Sequence, residues 1–492
     1  MKIKSALYLG VAAIAVAAIL AGAPARLVAQ QNPPVSIGAT DLGGVVTGPN
    51  GPEAGVWVIA ETTELPTKMA KIVVTDDQGR YVLPELPKAN YSVWVRGYGL
   101  VDSPKVQAAP GKILNLTAVP APNEKAAAEY YPPIYWLSMA KMPGKSDFPG
   151  TGRGGNGINE KLTSLPAFLR EFKTDGCFHC HAIGGQATRT LPEAFSHFSN
   201  HYEAWTRRIQ SGQASKDMVE TIDRFGTEWG LKTLSDWTTR IAAGEIPATK
   251  PPRPQGLERN VVITVWDWSG AKTYLHDEIS TDKRNPTINA NGQLFGATEN
   301  STDDIPILNP MTNTATTVKL PVRDPKTPSA ANTPMLAPSA YWGDEKLWHA
   351  QTIPHSLMLD EKSRVWFAAR IRPAANPDVC KKGSDHPSAK MYPINASNRH
   401  VIMLDPKSNK FTLVSTCFPT HHVQFGFDKD NTLWASSGGP GAEVLGWVNT
   451  KVLEETGDEN KAQGWTPFIL DTNGNGKRDE GYVEPNQPVD PT

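Results

Sequence analysis

Met358-Leu359-Asp360-Glu361-Lys362-Ser363-Arg364-Val365-Trp366-Phe367 sets an acidic turn between an apolar run and a strand carrying an aromatic residue. Further on, Ile402-Met403-Leu404 ends in the turn Asp405-Pro406. The same order recurs upstream, where Asn289-Ala290-Asn291-Gly292-Gln293-Leu294-Phe295-Gly296 leads to Ile307-Leu308-Asn309-Pro310. Phe427-Asp428-Lys429-Asp430-Asn431-Thr432-Leu433-Trp434 continues the series. Repeats of this kind, separated by insertions of varying length, predict a β-propeller over residues 256–492. At about 40 to 45 residues per blade the region holds about five. The chain stops on Gln487-Pro488-Val489-Asp490-Pro491-Thr492, a loop composition with no closing strand. The expectation is therefore an incomplete propeller: truncated, small or open.

Nearer the start the period changes to two. Val56-Trp57-Val58-Ile59, Tyr81-Val82-Leu83 and Tyr91-Ser92-Val93-Trp94-Val95 lie between Gly, Pro and Asp turns, which predicts a β-sandwich over 35–120. Asp76-Asp77-Gln78-Gly79 within it reads as a hairpin turn rather than a metal loop. A Pro/Gly-rich stretch over 121–157 reads as a linker packed along a neighbour, because it carries Tyr130 and Tyr131. Residues 158–250 read as helical, with one helix from Glu193 to Ile209 ended by Gly212. A second runs through Leu231, Leu234, Trp237 and Ile241 and ends near Gly244. The whole is a multidomain, mainly β chain with one small all-α segment.

That segment contains Cys177-Phe178-His179-Cys180-His181, the C-x-x-C-H spacing of a c-type haem attachment site. Two thiols three positions apart can each join one haem vinyl group, and the following histidine reaches the iron as proximal ligand. A four-cysteine zinc site would need a second C-x-x-C, which the chain lacks. Met218, between the two predicted helices and after the turn Ser211-Gly212-Gln213-Ala214, is the candidate distal ligand. His197, His201 or an open position are the alternatives. Export agrees with haem attachment: Lys2 and Lys4, the apolar run Leu7 to Leu20, and small residues at Ala21-Gly22-Ala23 and Val28-Ala29 read as a signal peptide over 1–29. A periplasmic or secreted protein follows, with no membrane span after signal cleavage.

Three resemblances rest on these residues. Gly44-Val45-Val46, Gly55-Val56-Trp57-Val58, Thr75-Asp76-Asp77-Gln78-Gly79-Arg80-Tyr81, Leu86-Pro87 and Tyr91-Ser92-Val93 resemble a carboxypeptidase regulatory-like domain, which implies a transthyretin-like β-sandwich without peptidase activity. The early attachment site and closing helix resemble a class I cytochrome c. The blade phrases, with His355 and His422 before the Asp-turn-Trp strands, are similar to streptogramin-lyase-like propellers, which close with about seven blades. That last likeness implies a carbon-oxygen lyase in which a histidine abstracts a proton and a metal stabilises charge. His355 and His422 are the catalytic candidates, with Glu299 beside them.

Other residues point to smaller features. Asp471, Asn473, Asn475 and Asp479, with Gly476 at the sixth position, resemble the front of a calcium loop, although Tyr482 stands where an acid is usual. Cys380 and Cys417 are the remaining cysteines of the four, and in an oxidising compartment they predict one disulfide. With 49 basic and 50 acidic residues the chain lacks the excess of a nucleic-acid binder. Three functions remain open: electron transfer or an oxidoreductase component with one haem c, a propeller lyase, and a non-catalytic scaffold binding carbohydrate or protein with a redox-sensing haem. The first implies a redox partner protein or a quinone-linked carrier; a small-molecule or carbohydrate ligand suits the propeller. The repeated tryptophan-docking motif of quinoprotein dehydrogenases is not found, which argues against pyrroloquinoline quinone.

Overall fold

The computed structural model describes residues 35–174, 176–436 and 444–467, without the side chain of His179. The export signal and the calcium loop at Asp471, Asn473, Asn475 and Asp479 lie outside the described residues. The fold is mainly β, with several separate sheets and fewer helices, most of them gathered in one segment. No described helix is long and apolar enough to cross a membrane.

Two five-stranded sheets face each other in the first region. Leu42–Gly48 is central to one, pairing with Gly51–Pro52, Arg80–Leu83, Lys112–Ile113 and Leu116–Thr117. Met69–Val74, Trp57–Thr62, Tyr91–Arg96 and Val106–Ala108 belong to the other. Alternate residues point inward, so Leu42, Val46 and Leu83 meet Val58, Met69, Val73 and Val93 in a single core. The fifth strand of the second sheet is Ile263–Trp266, paired antiparallel with Met69–Ile72. The boundary expected at 256 is thereby corrected: the chain returns to the first region after the helices and covers what would be an open sheet edge. Asp76 accepts from the backbone N–H groups of Gln78 and Arg80 at 2.9 and 2.8 Å, as a turn requires.

The stretch read as a linker forms helices Glu124–Ala128 and Pro133–Leu137. It packs firmly on the helical segment, where Trp237 donates its indole N–H to the carbonyl of Trp136 at 2.8 Å. Helices Leu165–Lys173, His201–Ile209, Ser215–Phe225 and Thr227–Ala242 surround Phe168, Phe172, Trp205, Ile222 and Phe225. One expectation is corrected here. Glu193–Phe195 is a separate single turn and the helix begins at His201, because the Asn200 side chain caps it by accepting from the N–H of Glu203. Met218 follows the turn as expected, but the stretch between the two expected helices is itself a helix, Ser215–Phe225, and carries it.

Three four-stranded antiparallel meanders follow. The first is Asp277–Ile279, Leu294–Ala297, Asp304–Asn309 and Thr314–Lys319. The second is His355–Leu359, Val365–Ala369, His400–Asp405 and Lys410–Val414. Val423–Phe425, Thr432–Ser436, Val444–Asn449 and Gln463–Pro467 make the third. The second meander is buried on both faces, which explains its unbroken apolar runs. Leu357, Leu359, Val365 and Phe367 meet Ile279, Phe295 and Ile305 of the first meander. Their neighbours Met358, Trp366 and Ala368 point the other way, onto Val423, Phe425 and Leu433 of the third. Full burial of an apolar side chain of this size stabilises by about 2 to 3 kcal/mol. The turn in the opening phrase is locked by Asp360, fully buried, which accepts from the indole N–H of Trp366 at 2.9 Å and pairs with Arg364 at 2.6 Å. Cys380 and Cys417 form a buried disulfide with Cα atoms 5.3 Å apart, tying the insertion inside the second meander to that sheet's far edge.

Candidate functional site

The meanders touch through their first strands. His276 immediately precedes Asp277–Ile279, His355 opens His355–Leu359, and His421-His422 immediately precede Val423–Phe425. Equivalent positions in three repeats therefore deliver imidazoles to one place. Ring centroids are 4.6 Å apart for His276 and His355, 4.5 Å for His355 and His421, and 4.2 Å for His421 and His422. Glu299, just past the second strand of the first meander, and Arg399, just before the third strand of the second, reach the same end of the sheets. A Glu299 oxygen lies 3.7 Å from Nδ1 of His355 and 3.6 Å from Arg399.

Backbone strain holds these groups. Ser356 sits in a β-bulge with φ of 47°, and Glu299 has φ of 38°, a region that non-glycine residues enter at a cost of about 1 to 3 kcal/mol. Ser356 accounts for its own strain by bridging all three meanders. Its N–H donates to Asp277 Oδ2 at 2.8 Å, and its hydroxyl accepts from the N–H of Val423 at 3.0 Å. Asp277 is thereby aimed at both His276, 3.0 Å away, and His355, 3.4 Å away. Neither approach has hydrogen-bond alignment, so both ring nitrogens of buried His355 are without a hydrogen-bond partner among the described residues.

Charge follows from burial and neighbours. The adjacent Asp277 carboxylate raises His276 above its ordinary value. Burial opposes ionisation of Asp277, but His276 and the Ser356 N–H outweigh it and hold the carboxyl low. Burial, then Arg399, pushes His355 down; burial, then His422, lowers His421 to about 4. His355 and His421 are neutral imidazoles at pH 7, with lone pairs free to bind. His276, Asp277 and His355, or His355, His421 and His422, could hold a metal ion. A cavity of about 450 Å³ opens beside them, lined by Asp277, Ser356, His422 and Trp434 among others.

The Cys177–His181 run lies on the neighbouring helical segment. Ser164 caps the helix Leu165–Lys173, which ends just before a single turn Cys177–His179. Gly176 is needed between them, since a Cβ there would meet the carbonyls of Glu171 and Phe172 at 2.5 Å. The N–H of His181 returns to the carbonyl of Cys177 at 3.0 Å. Cys177 and Cys180 are free thiols. Burial pushes Cys177 up to about 11, and burial, then Glu299 and Asp217, raises Cys180. Cys180 thus lies within electrostatic reach of the histidine cluster on one side and of the helix bearing Met218 on the other. Desolvation by its neighbours, then Arg208, lowers His181, although the residue still reaches solvent.

These residues fit a covalent haem: two unpaired thiols, a neutral imidazole, and an apolar wall in which Cys177, Phe178 and Met218 pack around one core. His201 is oriented by a 2.8 Å hydrogen bond from its Nδ1 to Thr238, and exposed His197 lies against Phe198. Met218 is the alternative that shares a core with the attachment site.

The structure brings together His355, His422 and Glu299, all singled out from sequence. His276, Asp277, His421 and Arg399 were missed, because the first strands are short and Asp277–Ile279 carries two acids where an apolar run was sought. Aligning the residue just before each first strand would have found the histidines. No family model matches the chain, and no curated protein matches it.

Proposed function

We propose that the chain is an exported c-type cytochrome joined to a β-propeller, acting in electron transfer or as the electron-handling part of an oxidoreductase. The observation that carries this reading is the Cys177-Phe178-His179-Cys180-His181 run. In this reading the two facing sheets are a transthyretin-like regulatory module, the helices a class I cytochrome c unit, and the three meanders consecutive propeller blades.

A haem bound at this site supplies a one-electron couple. Cys177 and Cys180 would hold it covalently, and His181 and Met218 are the residues that would ligate its iron. Phe178 and the core around Phe172 exclude water from the Cys177 side. Tyr274 stands edge-on to His276, with ring centroids 5.6 Å apart, at the side of the cluster.

A second reading, the lyase type, is favoured by one observation: Glu299 and His422 both lie against His355, and His422 borders the cavity. There a neutral imidazole would take the proton, with Arg399 and the carboxylates balancing the charge that develops.

Expression in a host with haem-maturation machinery, followed by haem staining of the denatured protein, tests the first reading. Covalent haem that ascorbate reduces and that passes its electron to an acceptor is the expected result. A far-red methionine-to-iron band in the oxidised form should disappear in Met218→Ala. Protein isolated from that host without covalent haem sinks the reading, and substrate cleavage by the haem-free Cys177→Ala, Cys180→Ala variant favours the lyase.

A further inference from the structure

We propose that His355, His421 and His422 form a binding site for one divalent first-row transition ion of the imidazole-preferring class, Cu²⁺ or Zn²⁺, with the Asp277 carboxylate behind His355 and His276 beside it.

Convergence is the first support. Ligand atoms of His355, His421 and His422 all lie within 4.8 Å of one another, and the same holds for His276, Asp277 and His355. The rings are stacked, with His355 at 14° to His421 and 20° to His422 and His421 at 30° to His422, so a shared ion requires the side chains to turn and point their in-plane lone pairs at it. They come from two sheets, and their main chain is fixed by pairing. His421 donates to the carbonyl of Ser436, and Ser436 donates back to the carbonyl of His422, each at 2.9 Å.

Orphaned polar atoms are the second and independent support. His355 is 3% exposed, yet neither Nδ1 nor Nε2 has a hydrogen-bond partner among the described residues. A buried polar side chain is ordinarily satisfied, and leaving one unpaired is costly. A metal bond at one nitrogen and the Asp277 carboxylate at the other would satisfy both; a carboxylate behind a ligating imidazole is the usual second layer of such sites.

The donor set selects the ion. Imidazoles suit copper, zinc, nickel and iron, whereas magnesium and calcium take oxygen donors. His422 also borders the 450 Å³ cavity, so an exogenous ligand can reach the ion from that side. The site stands on the meanders alone and does not depend on the haem reading.

The test uses the untagged full chain, both with haem and as the Cys177→Ala, Cys180→Ala variant, which removes competing thiols. Calorimetric titration with Cu²⁺ and with Zn²⁺ should give one equivalent in each background. Affinity should fall about tenfold or more in His421→Gln and in His422→Gln, and stay unchanged in His349→Gln, an exposed histidine elsewhere. The electron paramagnetic resonance spectrum of the Cu²⁺ form should carry nitrogen hyperfine structure that simplifies in each cluster variant. Because His422 is exposed, its variant keeps the test valid if one at buried His355 fails to fold. Absence of binding, binding that His421→Gln and His422→Gln leave intact, or equally tight uptake of Mg²⁺ overturns the proposal.

Discussion

The Cys177–His181 run and the histidine cluster put reactive side chains together by opposite routes. The first is contiguous: a helix end, one glycine and a single turn place both thiols and an imidazole within five consecutive positions. The second is assembled from five separate stretches, and its members meet because three sheets share the way their first strands adjoin. A contiguous motif can be read without the fold. An assembled one depends on register, on a bulge at Ser356 and on which strand end faces which. The two lie close enough for Glu299, in the assembled site, to raise the pKa of Cys180, in the contiguous one.

The largest expected effect separates them outright. Cys177→Ala with Cys180→Ala should abolish covalent haem entirely, as read by haem staining, while leaving the near-ultraviolet dichroism of the tryptophan-rich meanders unchanged. If the meanders lose their fixed structure as well, the two regions are one folding unit and the comparison fails.

Much of the first region and of each meander was legible, because period-two alternation and Asp-turn-Trp phrases are local. Asp360 and Trp366 are six residues apart and bonded to each other, so the phrase is its own signal. Ile263–Trp266 was not legible as part of the first sheet. Its partner Met69–Val74 is remote in the chain, and nothing in an apolar run says which edge it will cover. In the cluster, His355 and His422 stood out because each precedes an aromatic strand. His276 and Asp277 did not, since what makes them functional neighbours of His355 is the Ser356 bulge, a backbone feature with no residue signature.

Asp360→Ala tests the local end of that contrast. It leaves the Trp366 indole N–H and the Arg364 guanidinium without their shared acceptor, and should cost about 3 to 5 kcal/mol in denaturant unfolding. A loss under 1 kcal/mol would mean the phrase marks a turn without holding it. Gln213→Ala tests the contact between the helices and the meanders. Gln213, nearly buried, donates to the carbonyl of Trp348 at 2.9 Å and accepts from its N–H at 2.7 Å. Its removal should cost about 2 kcal/mol and speed proteolysis between residues 320 and 350. Unchanged proteolysis would show that the two regions do not rely on this contact to stay together.

The smallest effect is a slope with pH, and it reads the assembled site alone. His355 has a folded pKa below its ordinary value of 6.5, so the unfolded chain takes up its proton first as pH falls. Stability should then decrease below about pH 6.5, by up to about 1.4 kcal/mol per pH unit from this group. His421 acts with the same sign down to about 4, weakened by its partial exposure. His276 acts oppositely: its raised pKa contributes stability in full below 6.5, which is lost as pH rises through its folded value. Asp277, held low, contributes above 3.8 and loses that contribution only at more acid pH. Between pH 6.5 and 4 the lowered histidines therefore set the slope. His181 and His400 share their sign, so the informative quantity is the difference between wild type and His355→Gln, both metal-free, in urea unfolding at pH 7 and pH 5. The variant should lose less stability on acidification. Equal losses would mean that His355 is satisfied in solution by groups other than those around it here, and the contrast between a motif read from neighbours and a site built by the fold would lose its energetic basis.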